Sequence, residues 1–162
     1  MATQVVGCSV GIEVTPSIGL SAYAAEAQFG GIQYLTGAAY QKFSLTTLVS
    51  VIMTDKNKNT APMTLFFFDS FPTINSVDGG IFNLPDEELR TKCIGHVAFT
   101  SADYATVSGA SVLTGKLGGV ALTMRSKAEA GTLYVVPKLN AAATWTAGSS
   151  PVLFRYLFNR DA

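Results

Sequence analysis

Few residues of this chain combine the side-chain types and the spacing that catalysis requires. His96 is the only histidine, so a Ser–His–Asp triad would have to use it as the base. It lies within the run Ile94–Ala98, which has the apolar character of a strand. We therefore predict that His96 is a strand residue satisfied by a local hydrogen bond.

Metal binding is disfavoured by the same scarcity of ligands. A zinc site needs three or four ligands from histidine, cysteine and carboxylates, and one histidine with two distant cysteines supplies too few. The pattern Asp55-x-Asn57-x-Asn59 resembles the opening of a calcium loop. An EF-hand then requires glycine at its sixth position and glutamate at its twelfth, where this chain has Thr60 and Phe66. A polar turn explains the pattern better.

The carboxylates show no arrangement that is specific for acid–base catalysis. Glu87 and Glu88 are adjacent and fall in the first turn of a predicted helix, where the helix dipole already favours anions. Asp69, Asp78 and Asp103 fall in predicted loops with no distinctive context. We predict that the protein is not an enzyme and has no catalytic, cofactor-binding or metal-binding residues.

Phosphate and nucleic-acid binding are also disfavoured. The segment Thr114–Gly119 contains Gly-Lys but lacks the upstream glycine and the hydroxyl residue after lysine that a P-loop needs. The 11 basic and 11 acidic residues give no net charge, and nucleic-acid binding generally needs a basic patch. Lys56 and Lys58 are the nearest approach to one, in a turn.

The two cysteines, Cys8 and Cys93, have no metal or redox spacing. They could pair only if the fold brought their Cα atoms within about 7 Å, and we favour two buried, reduced thiols. No apolar run approaches the roughly 18 residues of a membrane span, so we predict no membrane segment.

The composition indicates a surface with unusually few charges. Charged residues make up 14% of the chain and hydrophobic residues 48%, whereas about 25% charged residues is typical of soluble domains. The length of 162 residues indicates a single domain. A neutral, partly apolar surface suits a protein whose faces are covered by copies of itself or by partners.

The sequence of the first half of the chain predicts strands. Ile12–Val14 alternates as a strand does before Pro16 interrupts it, and Ser21–Gln28 fits a strand better than a helix. Phe43–Val51 alternates clearly, and a polar turn at 55–59 separates it from the apolar run Met63–Phe68. Two such runs around a five-residue turn predict a β-hairpin. Phe66, Phe67 and Phe68 cannot all face one side of a sheet, so at least one must contact a second layer or a partner.

A long loop and one short helix are predicted in the middle of the chain. Phe71–Gly80 carries a proline, an asparagine, an aspartate and two glycines, which is typical of a loop. Pro85 suits the first turn of a helix, acidic residues follow it, and Arg90 and Lys92 close it. We expect this helix near residues 85–92.

Strands are again predicted in the second half, each bounded by turn residues. They are Cys93–Thr100, Ser111–Thr114, Leu117–Met124, Thr132–Lys138 and Val152–Phe158. Short strands at this spacing, without long amphipathic helices, predict an all-β antiparallel β-sandwich, jelly-roll-like, with one short helix.

Trp145 and Tyr134 leave two interpretations open. They could form a sugar-stacking platform in a lectin-like sandwich. A single tryptophan in a loop rich in threonine and alanine is more often an anchor at an edge or interface, and we favour that reading.

Three segments resemble small structural proteins of tailed-bacteriophage virions. The first, from Leu48 to Pro72, contains VSVIMTDKNKNTAPMTLFFFDSFP, in which a DK-x-K-x-x-AP turn precedes an aromatic strand ending in Asp-Ser. The others are LPDEELRTKCIGHV and GTLYVVPKLNAAATWTAGSSPVLFRYLF. The resemblance covers roughly residues 20–160, and its motifs are structural rather than catalytic.

The resemblance implies a capsid decoration, or cement, protein. Such a protein binds the major capsid protein on the outer surface of the head, often as a homo-oligomer (dimer or trimer), and braces the head against internal pressure. It would be made in the host cytoplasm and reside on the virion. A tail or adaptor protein is the nearest alternative, and a carbohydrate-binding β-sandwich module is an alternative from another class.

No contact motif accompanies the resemblance, so candidate contact regions follow from the residues alone. Residues 1–15 are a candidate extended N-terminal arm, and the rest of the single domain spans the chain to residue 162. The Phe71–Gly80 loop and the loop around Trp145 are the other two candidates.

Overall fold

A computed structural model describes residues 8–106, 112–146 and 151–160. Within these ranges the chain forms strands and one short α-helix. The elements are β1 (Cys8–Val14), β2 (Ala22–Tyr23), β3 (Gln33–Leu35), β4 (Leu45–Asp55), β5 (Met63–Phe68), α1 (Asp86–Thr91), β6 (Cys93–Phe99), β7 (Tyr104–Thr106), β8 (Val112–Arg125), β9 (Leu133–Leu139), β10 (Ala143–Thr144) and β11 (Val152–Arg160).

Two main antiparallel sheets carry the fold. The five-stranded sheet has the order β1-β11-β4-β8-β7, and the four-stranded sheet has the order β3-β9-β5-β6. A third, minimal sheet pairs β10 with β2. The predicted all-β antiparallel sandwich with one short helix is confirmed. The jelly-roll-like topology stays a prediction, with which the chain's repeated crossing between the sheets agrees.

The core lies between the two main sheets. Along β11, Val152, Phe154, Tyr156 and Phe158 are fully buried, while the residues between them are exposed or half-buried. Strand β9 contributes apolar side chains from the facing sheet to the same cluster. Side chains alternate between the two faces of a strand, so this period-two pattern places one face of each sheet in the core.

The predicted β-hairpin between the runs before and after the 55–59 turn is wrong. Strand β4 lies between β11 and β8 in the five-stranded sheet, whereas β5 lies between β9 and β6 in the four-stranded sheet. Both strands have partners on both sides, so neither has an edge free for the other. The turn carries the chain across the sandwich, because turn residues predict a reversal but not the sheet to which the chain returns.

The helix and the later strands agree with the sequence patterns. Helix α1 spans Asp86–Thr91, with its acidic residues in the first turn and Arg90 in the last. The separate segments predicted at Ser111–Thr114 and Leu117–Met124 belong to one strand, β8, and Ser111 lies outside the described residues. The short strands β3, β7 and β10 were not predicted.

The three consecutive phenylalanines divide between two layers, as predicted. Phe67 is fully buried in the core between the sheets. Phe66 faces the opposite side of the four-stranded sheet, where its ring stacks on Phe82 with centroids 5.2 Å apart. Phe68 is also fully buried but lies outside the core cluster. The second layer is therefore supplied by the chain itself, through the long loop after β5.

The N-terminal region contributes an edge strand. Strand β1 pairs with β11 over Cys8–Val14, which includes the alternation predicted at Ile12–Val14. The first seven residues of the predicted arm lie outside the described residues. Within Ser21–Gln28 the only regular element is the two-residue strand β2, with a turn at Ala25–Glu26 and isolated bridges at Ala27 and Gln28, so this segment is not helical.

Gly131 lies where the turn before β9 comes close to the backbone at Ala39. Its φ is +62°, and a Cβ built on it would lie 2.1 Å from the carbonyl oxygen of Ala39. We expect Gly131→Ala to destabilise the protein by roughly 2–4 kcal/mol, because the backbone conformation is strained and the clash is with backbone. Urea unfolding measures the change. Gly31→Ala is the matched control, since a Cβ there meets no atom within 4 Å. An equal effect of the two substitutions would contradict the close approach.

Candidate functional site

The strongest candidate for a functional surface is the segment 71–85, which we call the outer loop. It connects β5 to α1 along the side of the four-stranded sheet that faces away from the core, where Phe82 covers Phe66. It contains the predicted Phe71–Gly80 loop, and the prediction of a loop there is confirmed.

Backbone hydrogen bonds hold the outer loop against the segment 26–28. The N–H of Gln28 donates to the Gly80 carbonyl at 2.8 Å, and the N–H of Gly79 donates to the Gln28 carbonyl at 2.9 Å. The N–H of Phe82 donates to the Glu26 carbonyl at 2.7 Å. These backbone bonds, with the bridge between Ala27 and Ile81, hold the loop in a fixed position against the rest of the protein.

The Asp78 carboxylate fastens the middle of the outer loop. It accepts hydrogen bonds from the backbone N–H of Gly19 at 2.7 Å, the hydroxyl of Tyr23 at 2.7 Å and the backbone N–H of Gly30 at 2.6 Å. Burial raises the pKa of Tyr23, and the hydrogen bond to Asp78 raises it further, so the phenol stays protonated and able to donate. One carboxylate therefore ties three chain segments together.

Two apolar side chains project from this well-anchored loop into solvent. Val77 is 74% exposed and Ile81 is 76% exposed. Exposed apolar residues occur on most proteins, but here they flank the most heavily hydrogen-bonded part of the loop. A loop that is already ordered loses little conformational entropy when it binds, so this arrangement suits docking to an apolar partner surface.

A second exposed surface is formed by three aromatic rings, which we call the aromatic trio: Tyr34, Phe71 and Tyr134. Their centroids lie 5.4–6.0 Å apart. Tyr34 is 55% and Phe71 49% exposed, while Tyr134 is half-buried. The ring of Tyr134 stands nearly perpendicular to that of Phe71, at 89°. Sequence reasoning noticed Tyr134 but missed Tyr34, whose strand is only three residues long.

Neither predicted role of Trp145 is correct. The side chain is fully buried, with its ring centroid 4.5 Å from Phe29 and 5.4 Å from Tyr23. Its indole N–H donates to the Asp55 carboxylate at 3.1 Å. It is a core residue, because this partner allows the polar end of the ring to be buried as well.

The Asp55–Asn59 turn is structural, as predicted. The fully buried Asp55 carboxylate accepts the backbone N–H of Asn57 at 2.8 Å and that of Asn59 at 3.2 Å. Burial raises the pKa of the Asp55 carboxyl, and these bonds together with the Trp145 N–H offset only part of that effect. The Asn59 side chain in turn donates to the Thr144 carbonyl at 2.9 Å.

His96 and the cysteines differ from expectation. His96 lies on β6 as predicted, where it pairs with Phe66 of β5, but its side chain is exposed. The imidazole lies 6.0 Å from the Phe66 ring and makes no side-chain hydrogen bond to a described residue. Cys8 and Cys93 are both free, as predicted, but Cys8 is exposed and Cys93 half-buried. Cys8 and His96 are exposed because β1 and β6 are edge strands, with one side chain in two facing away from the core.

The remaining acidic candidates have structural partners. The carboxylates of Glu87 and Glu88 pair with Arg90 and Lys92 on the helix. Asp69 pairs with Lys127 at 2.7 Å. Asp103 accepts hydrogen bonds from the backbone and side chain of Thr100, at the start of a 3₁₀ turn.

A Gly-x-Ser-x-Gly nucleophile elbow was not expected from the sequence, but Gly7-Cys8-Ser9-Val10-Gly11 matches that pattern. That pattern is functional only at a sharp strand-to-helix turn. Ser9 instead lies within β1 and donates to the Asn159 side chain at 2.7 Å. The match carries no catalytic geometry.

Other site types are not apparent in the described part of the chain. No group of three histidine, cysteine or carboxylate residues converges there as a metal site would. No helix in the described ranges is long and apolar enough to cross a membrane. No family model matches the sequence, and no curated protein is significantly similar to it.

The role of Asp78 can be tested by amide exchange. We expect Asp78→Asn to speed exchange of the Gly19 amide or the Gly30 amide by roughly tenfold or more, because these amides bond to different carboxylate oxygens and asparagine keeps only one acceptor oxygen. Hydrogen–deuterium exchange with NMR detection measures this. Asp86→Asn, at an exposed helical position, is the control. Unchanged protection in Asp78→Asn would show that the loop is held without the carboxylate.

The buried Asp55 carboxyl predicts an unusual pH dependence. Its pKa is raised on folding, so its contribution to stability is greatest below the unfolded pKa, about 3.9, and declines as the pH rises through the folded-state pKa. Asp55→Asn loses acceptors for the turn and for Trp145, so the variant should be less stable than the wild type. We expect the difference in unfolding free energy to be larger near pH 3 than near pH 7. Urea unfolding of both proteins at both pH values measures it, and a difference that grows with pH would contradict the raised pKa.

Proposed function

We propose that this protein is a structural component of a tailed-phage virion, and specifically a capsid decoration protein that binds the outer surface of the head and stabilises it. Its partner would be the major capsid protein, and its location the capsid surface after synthesis in the host cytoplasm. The observation that carries the proposal is the outer loop, which presents Val77 and Ile81 to solvent on a hydrogen-bonded frame.

The surface chemistry supports a docking role. The chain has no net charge and few charged residues, so association with a protein lattice would not have to overcome strong long-range repulsion. Large apolar side chains remain exposed at several places besides the outer loop, among them Tyr40, Phe43 and Leu157.

The segments that resemble phage virion proteins also form the framework of the fold. The Leu48–Pro72 segment covers most of β4, all of β5 and the crossover between the sheets. The second segment supplies α1 and the start of β6, and the third supplies β9, β10 and most of β11. The resemblance therefore involves both main sheets, which supports a shared architecture as part of the proposal.

A carbohydrate-binding module is the second candidate, and the aromatic trio favours it. Sugar rings stack on exposed aromatic faces, and Tyr34 and Phe71 offer two such faces at one edge of the four-stranded sheet. The buried Trp145 removes the platform that the sequence first suggested for this function. A tail or adaptor protein of the virion would use the same apolar surfaces as a decoration protein, with a different partner.

Head binding is the decisive experiment. Purified protein is mixed with heads of the encoding phage that lack it, and co-sedimentation and the melting temperature of the heads are measured. We expect the wild type to bind and to raise the melting temperature. Val77→Ser/Ile81→Ser should weaken binding by roughly tenfold or more, because truncating a residue that anchors an interface costs more than about 1 kcal/mol.

The control for this variant is Leu45→Ser, which changes an exposed apolar residue at the start of β4, in the other sheet. It should bind like the wild type. A protein that ignores heads, but binds a glycan on an array in a manner lost in Tyr34→Ala, would replace the capsid proposal with carbohydrate binding.

A further inference from the structure

Strand β1 leaves a long, regular sheet edge open. It forms one end of the five-stranded sheet and pairs with β11 over seven consecutive residues without a register shift. No described strand lies beyond it. Proteins usually blunt such edges with proline, lysine, a bulge or short length, and the strand sequence CSVGIEV has none of these.

The other sheet edges are better protected. Strands β3 and β7 are only three residues long. Strand β8 extends beyond β7 from Gly115 to Arg125, but this part is interrupted by a register shift against β4, between Leu117 and Leu122. Strand β6 has seven residues, but its register with β5 is broken near Phe68, and Gly95 within it has a φ of +155°. Among the described strands, β1 therefore offers the longest uninterrupted row of backbone groups for pairing.

The side chains of β1 also indicate incomplete coverage. Val10, Ile12 and Val14 face the core but are only half-buried, and none of the described strands covers them on the outer side. On the opposite face, Gly11 is exposed, and the Glu13 carboxylate is held by Arg155 at 2.8 Å. An added strand would bury more of the apolar row without burying an unpaired charge.

We propose that the occupant of this edge is β1 of a second copy, paired antiparallel about a two-fold axis at Gly11. In that register Gly11 faces Gly11 of the second copy, Ser9 faces Glu13, and Val10 faces Ile12. All seven residues of the strand find a partner, and the two five-stranded sheets become one continuous sheet.

The choice of a second copy follows from self-complementarity. A two-fold interface must match the same strand with itself, and this register places apolar residues opposite apolar residues on the core side. It also keeps the two Glu13 carboxylates apart, since each lies opposite a serine. A Cβ at Gly11 would meet no atom of the described residues within 4 Å, so two strands can approach closely at this position.

Gly11 gives a charge-swap test. Directly opposed residues in an antiparallel pair have Cβ atoms about 4.5–5.5 Å apart, so Gly11→Lys would oppose two ammonium groups and Gly11→Glu two carboxylates. Full-length wild type should form a dimer in sedimentation velocity experiments between low and high micromolar concentrations, as a modest interface allows. Each variant alone should raise the dimer Kd by about tenfold or more. An equimolar mixture of the two variants should form dimers again, and each dimer should contain one Gly11→Lys chain and one Gly11→Glu chain.

Thr123→Lys and Thr123→Glu are the matched controls, because Thr123 is exposed on the same sheet, in β8. They should dimerise like the wild type, and circular dichroism should show that all variants fold. A wild type that stays monomeric at every concentration would overturn the proposal. So would a dimer whose Kd is unchanged in Gly11→Lys and Gly11→Glu, or one that the controls weaken equally.

This inference does not depend on the capsid role, and the two can fail separately. A monomer that binds heads would remove the strand pairing and leave the capsid proposal intact. A charge-dependent dimer that ignores heads would do the reverse.

Discussion

The buried carboxylate of Asp55 holds the place where the chain passes from one sheet of the sandwich to the other. It ends β4, accepts two backbone N–H groups of the turn that follows, and accepts the indole N–H of Trp145. A buried carboxylate is tolerated only when hydrogen bonds replace its hydration, and here three donors do so. The crossover, the short sheet of β2 and β10 and the aromatic packing around Trp145 all depend on this arrangement.

A second carboxylate, that of Asp78, holds chain segments together outside the core. Asp78 binds groups from the 19–23 region and from Gly30, and so fixes the outer loop to segments that themselves lead into the sheets. The two carboxylates act in different surroundings: Asp55 in full burial and Asp78 at a partly exposed junction. Together they let a chain with few charges order its long connections, with each charge satisfied by hydrogen bonds rather than by ion pairs.

The division of apolar surface links the fold to its proposed use. The inner faces of both main sheets are closed against each other, and Phe82 covers part of the outer face of the four-stranded sheet. Exposed apolar groups remain at the tip of the outer loop, at the aromatic trio and along the edge at β1. The trio shares Phe71 with the outer loop, whereas β1 belongs to the other main sheet, so a chain of this kind could contact a partner lattice through the former surfaces and a second copy through the latter.

The local patterns of the sequence determined the class of fold, because alternation and turn residues act over a few neighbouring positions. They predicted the positions of β4, β5, β6, β9 and β11, the loop after β5 and the polarity of α1, but divided β8 into two segments. They also predicted that one of the three adjacent phenylalanines must leave the core, since a strand has only two faces.

Tertiary structure alone decided how those elements combine. The sequence around the turn at Asp55 predicted a hairpin. Because β4 pairs with β11 and β8 on its two sides, the strand after the turn joins the other sheet instead. The sequence predicted that Trp145 is an anchor at the surface. In the fold it is buried, because Asp55, 90 residues earlier, accepts the hydrogen bond of its indole N–H. The candidate site also depends on tertiary structure. The sequence placed Phe71 in a loop, but only the fold brings Tyr34 next to it and bonds Asp78 to Gly19 and Gly30. The exposure of Val77 and Ile81 likewise follows from how the outer loop is held. Sequence patterns report short-range preferences, whereas these features depend on which remote groups the fold places next to one another.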